Sequence, residues 1–121
     1  MNDSEINLAD PLRQTALARL IESAASATTG ISTRQLRQRL RGTQAAARSR
    51  QMAMYLAHVV FGLSFTRVGI CFGRDRTTVR HACALIEDRR DDPRHDLALA
   101  ALEAGLLALT RHLIVAARVE A

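Results

Sequence analysis

Apolar residues recur along this chain at intervals of three and four, the spacing of amphipathic helices, and no segment shows a convincing period-two alternation. In ADPLRQTALARLIESAASATTG, Leu12, Ala16, Leu20 and Ala24 fall four apart with Leu17 and Ile21 beside them, which predicts one apolar helix face. Asp10 is a suitable cap, Pro11 suits the first helical position and Gly30 suits the stop. ISTRQLRQRLRG predicts a short second helix: Ser32 and Gln35 have capping-box spacing, Ile31 and Leu36 have staple spacing, and Gly42 closes it. Residues 42–49 read as a linker with some helical character. A core helix then begins near Ser49 or Arg50, carries Met52, Tyr55, Leu56 and Val59 at i, i+3, i+4 and i+7, and ends at Gly62.

The next three elements follow closely. Ser64 caps a two-turn helix, FTRVGICF, with Leu63 and Val68 at staple spacing, and Gly73 ends it. A longer helix starts at Asp75 with Val79, Cys83 and Ile86 on its apolar side, and ends where Pro93 blocks continuation. The last helix runs through RHDLALAALEAGLLALTRHLIVAARVEA, acidic early and with Arg111 and Arg118 late, as the helix dipole favours. The expected fold is therefore all-α, a compact bundle of five to six helices. Its central short helix, glycine turn and longer helix form a helix-turn-helix.

Composition agrees with a helical domain. The 121 residues are 48% hydrophobic but 3% aromatic, and alanine and leucine dominate. No apolar run approaches the roughly 20 residues that span a bilayer, and the acidic start MNDSEINLAD lacks a signal-peptide pattern, so a cytoplasmic protein is expected. Charge is the more telling feature. All seventeen basic residues are arginine; residues 34–80 hold ten of them against one acid, Asp75, for a net of +9. Residues 1–33 and 81–121 each come to −2. A basic centre between acidic flanks points to a polyanionic partner.

The predicted second helix of the helix-turn-helix concentrates this charge. Such a helix lies in the major groove and meets base edges with its N-terminal residues, here Arg76, Thr77, Thr78 and Arg80. Cations at a helix N-terminus oppose the dipole. Arg74 and Arg76 are therefore poor choices for stability alone, but good ones for holding phosphate or the O6 and N7 edge of guanine. The alternative is a pair of exposed arginines tolerated at low cost. No catalytic set is legible. His81 and Cys83 diverge by about 200° around one helix, and His58, His95 and His112 lack metal-ligand spacing. Cys71 and Cys83 form no CxxC pair and read as small buried hydrophobes.

These residues carry a family resemblance. RSRQMAMYLAHVVFGLSFTRVGICFGRDRTTVRHACALIED resembles the C-terminal DNA-binding domain of the bacterial replication initiator DnaA, a Trp-repressor-like fold, and centres on a G-R-D-x-T-T-V-x-H-A-C signature at Gly73–Cys83. The resemblance extends over about residues 12–110. It implies that Asp75, Arg76, Thr77 and Thr78 contact bases in the major groove of double-stranded DNA, that Arg50 enters the minor groove, and that His81 lies near the phosphates. Arg48, Arg74 and Arg80 are the further phosphate candidates. This chain departs from the pattern where family members usually carry His, a second turn glycine and Leu; it has Arg76, Gly73 alone and Arg80. The first of these favours guanine readout or a phosphate clamp. The initiator's phosphate loop, G-x-x-x-x-G-K-[ST], is absent, and there is no lysine to place in one. No nucleotide cofactor and no enzymatic activity are expected.

The expected organisation is a flexible start (1–9), the DNA-binding domain (10–110) and a helical extension (111–121). Leu99, Leu102, Leu106, Leu109 and Leu113 form a 3-4-3-4 stripe with two readings. Either the last helix folds back on its own domain, or the stripe is a homodimer contact. Two functions follow: a sequence-specific regulator of transcription or of replication initiation, or a dimerising interaction module with non-specific DNA binding.

Overall fold

The computed structural model describes residues 10–30, 32, 34, 36 and 44–120, with residues 112–120 as backbone alone. Among them are five helices and no strand: α1 (Pro11–Thr29), α2 (Gln44–Phe61), α3 (Phe65–Phe72), α4 (Arg76–Arg89) and α5 (Pro93–Glu120). The all-α expectation holds. The expected flexible start, the Ile31, Gln35 and Gly42 signals and the His112 and Leu113 side chains lie outside the described residues. Within ISTRQLRQRLRG, the Leu36 amide donates to Ser32 O at 3.1 Å, a helical bond, and Leu36 is buried.

α1 begins as its caps dictate. The Asp10 carboxylate accepts from Leu12 N at 2.9 Å, Pro11 opens the helix, and Gly30 ends it in the left-handed region at φ 75°. Its buried face differs from the expected one. Leu17, Ala18, Ile21 and Ala25 face the core with Gln14 and Glu22, while Leu12 is 77% exposed and Leu20 and Ala24 are only partly covered. Both stripes have helical period, so spacing alone did not rank them.

α2 starts at Gln44, earlier than expected, because AAARS continues the helix instead of interrupting it. Ala53 and Ala57, both at 0% exposure, sit at the centre of its buried face beside Met54, Tyr55 and Leu56. Val59, expected in the core, is 46% exposed. Small alanines allow close helix approach, and α2 packs against all four other helices.

α3 follows the expected pattern: Ser64 Oγ accepts from Arg67 N at 3.1 Å, and Leu63 and Val68 are both buried. Pro93 does more than stop α4. It opens α5, with the Asp92 carboxylate accepting from Arg94 N at 2.9 Å. α5 then runs through residue 111 without a break.

A polar network locks α2, α4 and α5 together. Tyr55 Oη donates to Glu87 Oε2 at 2.6 Å and accepts from Arg90 Nη1 at 3.1 Å. Arg90 also reaches Asp96 Oδ1 through Nε at 2.7 Å and Glu103 through Nη1. Those partners, Asp96 foremost, hold the Arg90 guanidinium above its ordinary value. Leu99 and Leu106, two of the stripe leucines, are 3% and 4% exposed and pack in the domain's own core. Leu102 is partly covered, whereas Leu109 is 41% exposed.

Candidate nucleic-acid interface

The turn between α3 and α4 depends on two glycines. Gly73 adopts φ 66°, a left-handed conformation that costs a residue with a Cβ. Gly69, inside α3, lies against the turn: a Cβ there would meet Arg74 O at 2.5 Å. The Arg74 amide donates to Gly69 O at 2.9 Å, closing the turn on the helix. A glycine in a two-turn helix runs against propensity. That was the sequence signal for Gly69, and its tertiary reason appears only when the turn is folded.

Behind the turn lies a second element that sequence reasoning did not identify. Arg19 of α1 donates through Nη2 to Cys71 O near the end of α3, pairs with Glu22 Oε1 at 3.0 Å and lies 5.9 Å from the Phe72 ring centroid. The Glu22 side chain is 2% exposed and that of Arg19 34%, so the carboxylate end of this ion pair is shielded while the guanidinium still meets water. The i, i+3 spacing of Arg19 and Glu22 was visible; that the pair holds the α3 terminus was not.

α4 divides its surface by task. Val79, Ala82, Cys83 and Ile86 are buried, and Arg76, Thr77, Thr78, Arg80 and His81 are exposed. Asp75 caps the helix: its carboxylate accepts from Thr78 N at 2.7 Å. The Thr78 backbone bond is the main cause holding the Asp75 carboxyl below the ordinary 3.8, with the Thr78 hydroxyl next. The Arg74 guanidinium folds back toward the turn, donating to Gly73 O at 3.1 Å and, more weakly, to Phe72 O at 3.5 Å.

Arg50 approaches this end of α4 from α2. Its guanidinium is half-buried, and one nitrogen, Nη1, is shut from solvent without a hydrogen-bond partner among the described residues. Burial first, and then the like charge of Arg74, hold it below its ordinary value. Like charge felt from Arg74, beside a donor without a partner among the described residues, makes an anion electrostatically favoured at Arg50.

Arg48 stands apart from this group. Two positions from Arg50 on α2, it points about 200° away. It lines a cleft with Ile86 and Arg89, at the far end of α4. Cys71 is half-buried and Cys83 buried. His58 bonds Leu63 O through Nδ1 at 2.7 Å and stacks on Phe65 at 4.4 Å, supporting the corner between α2 and α3. Among the described residues no group of His, Cys, Asp and Glu could hold a metal ion, and no helix is long and apolar enough to cross a membrane.

Residues 18–86, more than half of the chain, match the family described as the bacterial dnaA protein helix-turn-helix. The match runs from the core face of α1 to Ile86 in α4, and so takes in Arg50, both turn glycines and the exposed face of α4.

Proposed function

Since the chain belongs to the bacterial DnaA helix-turn-helix family, whose domain binds DNA, we propose that it is a sequence-specific reader of duplex DNA. On this reading Asp75, Arg76, Thr77 and Thr78 contact bases in the major groove and Arg50 enters the minor groove. Arg74, Arg80 and His81 lie on phosphates. On this reading the protein acts by occupying sites, as a regulator of transcription or of replication initiation in the cytoplasm.

The observation that supports this most is the Arg50 guanidinium, with a buried, unsatisfied donor beside a like charge. A donor shut from solvent without an acceptor is a cost that a bound acceptor relieves. A minor-groove acceptor or phosphate supplies what the free protein lacks. The test is Arg50→Ala measured by fluorescence anisotropy on duplex and single-stranded DNA of the same sequence. Duplex binding should weaken at least roughly tenfold, as expected for a charge-assisted contact, while single-strand binding changes little. Equal loss on both forms would count against minor-groove insertion.

A second reading, a homodimer, has its own support. An apolar groove runs between α1 and α5, lined by Leu20, Ala24, Leu102, Gly105 and Leu109 among others. Among the described residues, none that lines it is charged. Light scattering across a concentration range decides it: a mass that stays monomeric at the highest concentration removes the dimer.

A further inference from the structure

A cleft of about 280 Å³ opens at the opposite end of α4 from the recognition turn. Its apolar floor is Met52 from α2, Ile86 from α4 and Leu99 from α5; its rim carries Arg48, Arg89 and His95. Ile86 and Leu99 are 4% and 3% exposed, so the floor is dry core surface. Among the described residues, none that lines it is acidic. On the rim, His95 Nδ1 lies 3.7 Å from Asp92 Oδ2. Arg48 and Arg89 carry no such ion pair among those described.

Three features select the occupant. The volume is near the lower end of the roughly 300–1,000 Å³ usual for small-molecule sites. The cleft is apolar at its base, which a duplex phosphate cannot use. It is cationic at its rim, and arginine forks match carboxylate, sulfonate and phosphate geometry. Arg89 lies thirteen residues along α4 from Arg76, roughly 20 Å at the helical rise, so the cleft is separate from the base-reading end.

We propose that this cleft binds a small organic anion with an apolar body, and that its occupancy changes affinity for DNA. The second half rests on the DNA-reading function proposed above. Arg48, Ser49 and Met52 precede or follow Arg50 on α2, and Ser49, 2% exposed, is also part of the cleft wall. Ile86 and Arg89 belong to the helix that presents Arg76, Thr77 and Thr78. An occupant braced between α2 and α4 therefore acts on the relative placement of both DNA-contacting groups.

The test uses the full chain and naphthoate as the probe, followed by titration calorimetry and ligand-detected NMR. Naphthoate should bind saturably, and its neutral analogue naphthalenemethanol should bind more weakly. Arg89→Gln, which removes a rim cation, and Ala98→Phe, which fills the cleft from α5, should each weaken naphthoate at least roughly tenfold, the scale of one charge-assisted contact. Unchanged circular dichroism and melting establish that both variants fold. Saturating naphthoate should shift duplex affinity by roughly fivefold or more, and duplex should shift naphthoate affinity by the same factor. Absence of saturable binding overturns the site, as does binding indifferent to both substitutions. Equal affinity for naphthalenemethanol overturns the anion requirement. Intact naphthoate binding with unchanged duplex affinity overturns the coupling. If naphthoate binds as described while no duplex is bound, the DNA-reading function fails and the cleft stands.

Discussion

An arginine as the first residue of a helix faces the positive end of the macrodipole, a placement that costs about 0.3–1 kcal/mol. Arg76 occupies that position on α4, exposed, with the Asp75 cap offsetting part of the cost. Arg76→Ala should therefore leave the free protein equally or slightly more stable in urea denaturation. On its preferred duplex the same variant should lose ~1–3 kcal/mol and accept other bases at one position. Uniform weakening on every sequence would make Arg76 a phosphate contact instead. Cys83 offers a check on packing behind this face. Burial, and then Glu87, push its thiol from 9.0 up to about 11. A thiol raised on folding stabilises the fold while protonated: its contribution is full below pH 9 and is lost as pH rises through about 11. Cys83 should resist alkylation at pH 8, and Cys83→Ala should flatten the alkaline limb of the stability profile; rapid labelling of Cys83 in the folded protein would contradict its burial. The Asp75–Thr78 cap and the buried Val79, Cys83 and Ile86 were legible in sequence because they depend on local spacing. Arg19 on Cys71 O was not, because 52 residues separate the partners.

The helix-turn-helix is held by backbone approach as much as by its apolar face. Gly69 and Gly105 are both helical, but a Cβ at Gly69 meets Arg74 O at 2.5 Å while one at Gly105 meets nothing within 4 Å. Gly69→Ala should cost about 1–3 kcal/mol, the range for overpacking. Gly105→Ala should gain roughly 0.5–1 kcal/mol from reduced chain entropy. Urea midpoints of the two variants give the comparison, and a neutral Gly69→Ala would mean that the turn does not lie against α3. Element boundaries were readable wherever a cap announced them, as at Asp10, Ser64 and Asp75. They were missed at Gln44, where alanines carry no strong apolar signal. Alanines also hid the buried face of α2, since Ala53 and Ala57 matter for the closeness they permit more than for the area they cover.

The whole molecule combines a helical core with a surface whose positive charge is concentrated in residues 34–80. Duplex affinity should fall steeply with salt, with a slope of about −0.9 per phosphate neutralised. Arg74→Ala should reduce the magnitude of that slope by about 1; an unchanged slope would remove Arg74 from the phosphate set. The all-α class and the helix-turn-helix could be read from periodicity and the Gly73–Cys83 signature. The arrangement that sets Arg50 within the field of Arg74 and places Arg48 and Arg89 on one cleft could not, because it depends on how α2 packs on α4. Base recognition by α4 is the central claim, and selection of bound sites from a random duplex library at fixed salt tests it most directly. If α4 reads bases, one motif that includes a guanine is enriched, and Arg76→Ala relaxes that position. Recovery of salt-sensitive binding with no enriched motif would contradict it.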